Sequence, residues 1–93
     1  MSMMELNKDT IANEIANSDI AVIEFYSNTC SVCKTLMPVL EELSQAHTNA
    51  KFFKINAEQN MQICMAYKVM GLPATLVFKN GELAEKISGF KTK

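Results

Sequence analysis

A chain of 93 residues, 48% hydrophobic and 20% charged, suits one packed domain over residues 1–93 and excludes two separate cores or a disordered polymer. A formal net charge of −1, with no block of like charge, excludes a general pull toward nucleic acid or an anionic membrane surface. The first eight residues lack a basic segment followed by an apolar core, and no apolar run nears the roughly 20 residues that span a bilayer. A cytoplasmic protein with no membrane or nucleic-acid partner is therefore expected.

In chain order, Met3 to Leu6 reads as a short opening strand. Asp9 or Thr10 then caps a helix that carries Ile11 and Ile15 four apart on one face. Ser18-Asp19 ends it. Ile20 to Tyr26 is an almost unbroken apolar, β-branched run, the pattern of a strand covered on both faces. Glu24 is the odd residue in that run. The polar turn Ser27-Asn28-Thr29 leads into a helix from Cys30 to Ala46, with Leu36, Leu40 and Leu43 at helical spacing and Pro38 inside the pattern as a kink. Lys51 to Asn56 is a second central strand. Met61, Cys64 and Lys68 mark one edge of a short helix, and Gly71-Leu72-Pro73 is a turn. Ala74 to Lys79 and Glu82 to Ser88 are strands joined by Asn80-Gly81, a strong hairpin signal. The order β-α-β-α-β-α-β-β predicts an α/β fold with a mixed sheet, parallel where helices cross over and antiparallel in the last hairpin.

The chemistry concentrates at Cys30-Ser31-Val32-Cys33. Residues three apart on a helix have Cβ atoms roughly 5–6 Å apart, and a small adjustment brings two cysteines within disulfide range. Cys30, at the first turn, faces unpaired backbone N–H groups and the positive end of the helix dipole, which stabilise a thiolate. It is the expected nucleophile, and Cys33 the expected resolving thiol. The pair also fits half of a zinc site, but such a site needs two further ligands. The chain offers only Cys64, His47 and carboxylates, so no metal is expected. Cys64 reads as a small buried apolar residue, His47 as a surface residue near a helix C-terminus, and the seven methionines as fillers of core gaps.

From Ala21 to Gly89 the chain resembles the thioredoxin family. The likeness rests on Glu24-Phe25-Tyr26 closing a strand, Cys30-x-x-Cys33-Lys34, Pro38, Lys54-Ile55-Asn56, Tyr67, Gly71-Leu72-Pro73-Ala74-Thr75, Phe78-Lys79-Asn80-Gly81 and Gly89. The resemblance implies a thioredoxin-like fold, a central mixed sheet flanked by helices, with the family's last helix lacking a counterpart in this sequence. It implies reduction of protein disulfides with no cofactor, electrons arriving from a thiol reductase donor, and duties in electron transport and cell redox homeostasis. Pro73, an ordinary turn proline by itself, then resembles the family's cis-proline facing the active-site disulfide. Leu72 would offer main-chain hydrogen bonds to an extended substrate. Glu24, alone readable as solvent-facing, stands where the family buries an aspartate that passes protons to the resolving cysteine. Lys54 on the neighbouring strand is a supporting residue that pairs with Glu24 or stays on the surface, and Pro38 is a second supporting position.

Three departures stand out. Thr29 replaces a tryptophan beside the nucleophile, Ser31-Val32 replaces Gly-Pro, and the chain ends four residues after Gly89. A sheet face without its last helix is expected to expose apolar surface, to be buried in a weak homodimer or covered by Met3, Met4 and Leu6. A redox-switched binding module serving a dedicated partner is the alternative function. Glutaredoxin-like use of glutathione lacks a dedicated anion-binding motif.

Overall fold

The computed structural model describes residues 3–46 and 49–88; His47 and Gly89 lie outside them. Strand β1 (Met4–Glu5) precedes helix α1 (Ile11–Ala16), strand β2 (Ile20–Tyr26), helix α2 (Ser31–Ala46) and strand β3 (Lys51–Asn56). A 3-10 turn (Ala57–Gln59), helix α3 (Met61–Ala66) and the hairpin β4 (Ala74–Lys79) and β5 (Glu82–Ser88) complete the order. The five strands run β1-β3-β2-β4-β5 across one sheet. β3 is parallel to β1 and β2, while β4 is antiparallel to β2 and β5. The mixed sheet is the one expected from the element order.

The pleat divides the strands between two faces. Ala21, Ile23 and Phe25 of β2 point to one face with Phe53 and Ile55 of β3 and Ala74, Leu76 and Phe78 of β4. There they join Ile11 and Ile15 of α1 and Ile63 of α3 in the larger core. Leu6, just after β1, is also buried in it. Across the sheet, α2 covers a smaller core of Met3, Leu36 and Leu40, with Phe52 and Met37 packed against it. Met3 and Leu6 are thus buried on opposite faces of the sheet, whereas Met4 is exposed. Half-buried Val22, Val77 and Ile87 share the α2 face with Glu24 and Thr75. The apolar run of β2 is therefore covered unequally.

Local signals hold with some corrections. Thr10 takes the N-cap position of α1, but its side chain caps no helical N–H. Asn7 organises the approach instead, its carbonyl accepting from the amides of Thr10 and Ile11 and its Oδ1 from that of Asp9. Leu43 belongs to the periodic stripe of α2 yet is exposed, while Leu36 and Leu40 are buried. On α3, Ile63 and Cys64 turn inward, while Met61 and Lys68 are exposed and Lys68 lies past the helix end. The methionines do not fill the core as expected. Met3 does, but Met61, Met65 and Met70 are 63%, 76% and 95% exposed. The hairpin turn has Asn80 and Gly81 at φ of 55° and 86°, the left-handed region that asparagine and glycine tolerate.

Candidate redox site

The polar turn after β2 delivers Cys30 to the start of α2. Its amide donates to the Ser27 carbonyl at 3.3 Å, and its carbonyl accepts the first helical bond, from Lys34 N–H at 3.3 Å. Cys30 is thus the N-cap residue, and its sulfur does what a serine oxygen does there. The Cys33 amide donates to Cys30 Sγ at 3.2 Å. One of the orphan donors of the first turn is spent on the sulfur. Cys30 and Cys33 are joined as a disulfide, their Cα atoms 5.3 Å apart.

The two sulfurs differ in access. Cys30 is half-buried and Cys33 is 1% exposed. Cys33 Sγ lies 3.9 Å from the Phe25 carbonyl oxygen, which can accept a hydrogen bond from the thiol once the disulfide is reduced. Pro38, exposed on α2, leaves the Lys34 carbonyl without its helical donor. Both residues line a groove of about 630 Å³ that reaches Cys33, Tyr26 and Lys54.

Glu24 sits one residue before Phe25 and is completely buried. β2 pairs it with Lys54 on one side and Thr75 on the other. The Thr75 hydroxyl donates to Oε1 at 2.7 Å. Oε2 is buried with no hydrogen-bond partner among the described residues, so Lys54 does not bond to the carboxyl. Burial pushes the Glu24 carboxyl up to about 7, against the opposing pull of the Thr75 hydrogen bond. The strand position of Glu24 is legible in sequence, but Thr75 as its partner is not, because 51 residues separate them.

The Leu72–Pro73 peptide is cis, with Pro73 buried and Leu72 half-buried at the start of β4. The approach to it is tied down at the end of α3. Lys68 adopts φ 59°, Val69 N–H donates back to the Cys64 carbonyl at 2.8 Å, and Lys86 from β5 donates its ammonium to the Tyr67 and Lys68 carbonyls. A cation on the carbonyls just past the end of α3 also lies near the negative end of its dipole. Gly71 and Leu72 line a second groove of about 300 Å³ with Ser27, the residue whose carbonyl holds Cys30. Thr29, in the place of the expected tryptophan, donates its hydroxyl to Glu58 Oε2 at 3.3 Å and so ties the cysteine turn to the 3-10 turn.

Cys64 is buried at the foot of that groove, with its Sγ 3.9 Å from the Ala57 carbonyl; burial pushes its thiol up. Among the described residues no cluster of histidine, cysteine and carboxylate groups could hold a metal ion, and no helix is long and apolar enough to cross a membrane.

The thioredoxin family model matches residues 2–93. The thioredoxin of Mycoplasmoides gallisepticum is 31% identical over 87 residues, covering 94% of this chain and 87% of that protein. The thioredoxin of Staphylococcus haemolyticus is 33% identical over 86 residues, 91% and 83% of the two chains. Among solved structures, a mutant thioredoxin from Halobacterium salinarum superposes with a TM-score of 0.91 at 27% identity, covering 98% of this chain and 80% of that one. The oxidised mitochondrial thioredoxin 3 of Saccharomyces cerevisiae gives 0.89 at 32% identity, covering 94% and 83%. A buried-and-accessible cysteine pair at a helix start, a cis-proline opening the antiparallel strand and these likenesses agree: the chain belongs to the thioredoxin family of thiol–disulfide oxidoreductases.

Proposed function

We propose that the protein reduces disulfides of other proteins, with Cys30 as nucleophile and Cys33 as resolving thiol. The observation that carries this reading is the cap geometry: the exposed-side sulfur receives the Cys33 amide, and the other sulfur is sealed beneath it. In the reduced protein, Cys30 thiolate attacks one sulfur of the client disulfide, forming a mixed disulfide and releasing a client thiolate. Cys33 then gives its proton to a base, attacks Cys30 Sγ, and expels the second client sulfur as a thiolate. Both client thiolates take up protons. The client gains two electrons and the protein loses two, ending as the Cys30–Cys33 disulfide.

Glu24 is our choice for the base. A carboxyl that titrates near 7 is matched to proton exchange at neutral pH, and Glu24 lies next along β2 to the carbonyl facing Cys33 Sγ. Leu72 and Pro73 hold the client main chain beside the cysteines, as in strand addition. Pro38 shapes the groove at Cys33. Lys54 supports the site by placing a cation at the mouth of that groove and in register with Glu24. A thiol reductase in the cytoplasm regenerates the dithiol. Weak self-association over Val22, Val77 and Ile87 belongs to the same proposal.

Turnover decides the matter. The protein is expected to accelerate insulin reduction by dithiothreitol, with activity lost in Cys30→Ser. Binding of a partner in one redox state without turnover would establish the redox-switched binding module instead. Sedimentation over a range of concentrations checks the self-association, which a strictly monomeric species at high concentration overturns.

A further inference from the structure

The segment that leads to Leu72 is held at its ends rather than along its length. Among the described residues, Met70, Gly71 and Leu72 neither donate nor accept a backbone–backbone hydrogen bond. Met70 is 95% exposed, and a Cβ on Gly71 would meet nothing within 4 Å. Of the three, Leu72 alone packs against the core. Downstream, Ala74 is fixed between Phe25 of β2 and Ser88 of β5. Upstream, the chain reverses after α3 through Lys68 at φ 59°, a conformation disfavoured for a residue with a Cβ. Two contacts past the helix hold that reversal. Val69 N–H donates to the Cys64 carbonyl at 2.8 Å, and the Lys86 ammonium donates to the Tyr67 carbonyl at 3.5 Å and to the Lys68 carbonyl. Lys86 stands opposite Leu76 of β4, so it ties the reversal to the same hairpin into which the segment runs.

We propose that Lys86 is a positioning residue for client binding: its ammonium gathers the Tyr67 and Lys68 carbonyls and so sets where the Leu72 main chain stands against an incoming segment. The proposal rests on the reading of Leu72 as a main-chain partner of protein clients. A single exposed ammonium adds little to the stability of the whole fold. Its weight is local. A segment with so few bonds of its own sits at the low end of the range of local opening energies, where one anchor decides how much of the time it is in place. Main-chain pairing needs donors and acceptors in register, and affinity falls in proportion to the fraction of molecules that present them. Losing the clamp therefore weakens client binding and leaves the cysteines, on the other side of the site, as they were.

The test uses the full chain with insulin and with 5,5′-dithiobis(2-nitrobenzoate), a disulfide with no main chain to pair with Leu72. Lys86→Met is expected to raise the insulin KM about two- to fivefold relative to that of the small disulfide, with no matching fall in kcat. That factor is what the loss of one cation at a helix end converts to. Amide hydrogen exchange supplies the second readout: the Val69 amide, which bonds within the reversal, is expected to exchange faster in Lys86→Met. Lys86→Arg, which keeps a cation with several donors, is expected to restore both. An insulin KM that does not move relative to the small disulfide in a folded Lys86→Met protein overturns the proposal. A KM that rises while Val69 exchange stays constant overturns it too, and makes Lys86 a direct contact of the client. A rise that Lys86→Arg leaves in place removes the clamp as its cause. A wild-type protein that reduces the small disulfide but not insulin overturns the underlying reading of protein clients, a result distinct from all of these.

Discussion

The two faces of the sheet are built from the same three central strands and do opposite work. Toward α1 and α3, every residue of β2, β3 and β4 on that face except the exposed Lys51 is apolar, and the face closes as one continuous core. Toward α2, the same strands present Glu24, Thr75 and Lys54, the apolar cluster shrinks to a few residues, and a groove opens to Cys33. Alternation with a period of two allows this division, since neighbouring positions on a strand face opposite environments. The stable face supplies the rigidity on which the other can carry a buried carboxyl with an unpartnered oxygen. Stability and chemistry are one residue apart.

Substitutions at the cysteines sharpen the contrast most. Cys30→Ser is expected to abolish turnover with the fold retained, whereas Cys33→Ser traps a mixed disulfide that mass spectrometry detects. In the reduced protein, iodoacetamide at pH 6 is expected to label Cys30 before Cys33. Labelling in the reverse order would exchange their roles. On the opposite face, Leu76→Ala removes a fully buried side chain and is expected to cost about 2–5 kcal/mol in denaturant unfolding. The cysteine chemistry of the protein that remains folded should be unaffected. A Leu76→Ala protein that is stable but redox-inert would break the division between the faces.

Glu24 gives a smaller effect with a defined pH window. Its carboxyl titrates at about 7 in the folded protein against an ordinary 4.5. Between those values the native protein keeps a proton that the unfolded chain has released, so stability falls as pH rises through the window. At ~1.4 kcal/mol for each pH unit, the loss is about 3 kcal/mol by pH 8. Glu24→Gln is expected to flatten that slope, to stabilise the oxidised protein at pH 8, and to slow release of the mixed disulfide. Equal unfolding slopes for the two proteins between pH 5 and 8 would remove Glu24 from the account. Smallest is Lys86→Met, which takes a cation from the end of α3 and is expected to cost about 0.3–1 kcal/mol of stability, read from the shift in denaturation midpoint.

What the sequence made legible was local. Cys30 and Cys33 announce themselves by spacing, Asn80-Gly81 by turn chemistry, and the strand around Glu24 by its apolar run. Pro73 needed the family resemblance, because its peptide geometry has no composition signal. The pairings that complete the site join residues far apart in the chain: Thr75 reaches Glu24 across 51 positions, Thr29 reaches Glu58 across 29 and Lys86 reaches Lys68 across 18. No periodicity encodes them. The methionines misled for a different reason, since a flexible apolar side chain suits a core gap and an adaptable surface equally well.

The sulfur cap on α2 makes the helix and the electron pair reciprocal partners. Cys30 Sγ accepts the Cys33 amide as a neutral disulfide sulfur in the structure described. With Cys30 as the thiolate nucleophile proposed above, reduction places a negative charge on that acceptor, and charge-assisted hydrogen bonds are roughly twice as strong as neutral ones. Linkage then runs both ways: taking up electrons tightens the first turn of α2, and anything that tightens that turn makes the protein a weaker reductant. The residues between the cysteines, Ser31 and Val32, occupy that turn, and a change in their helix propensity becomes a change in voltage.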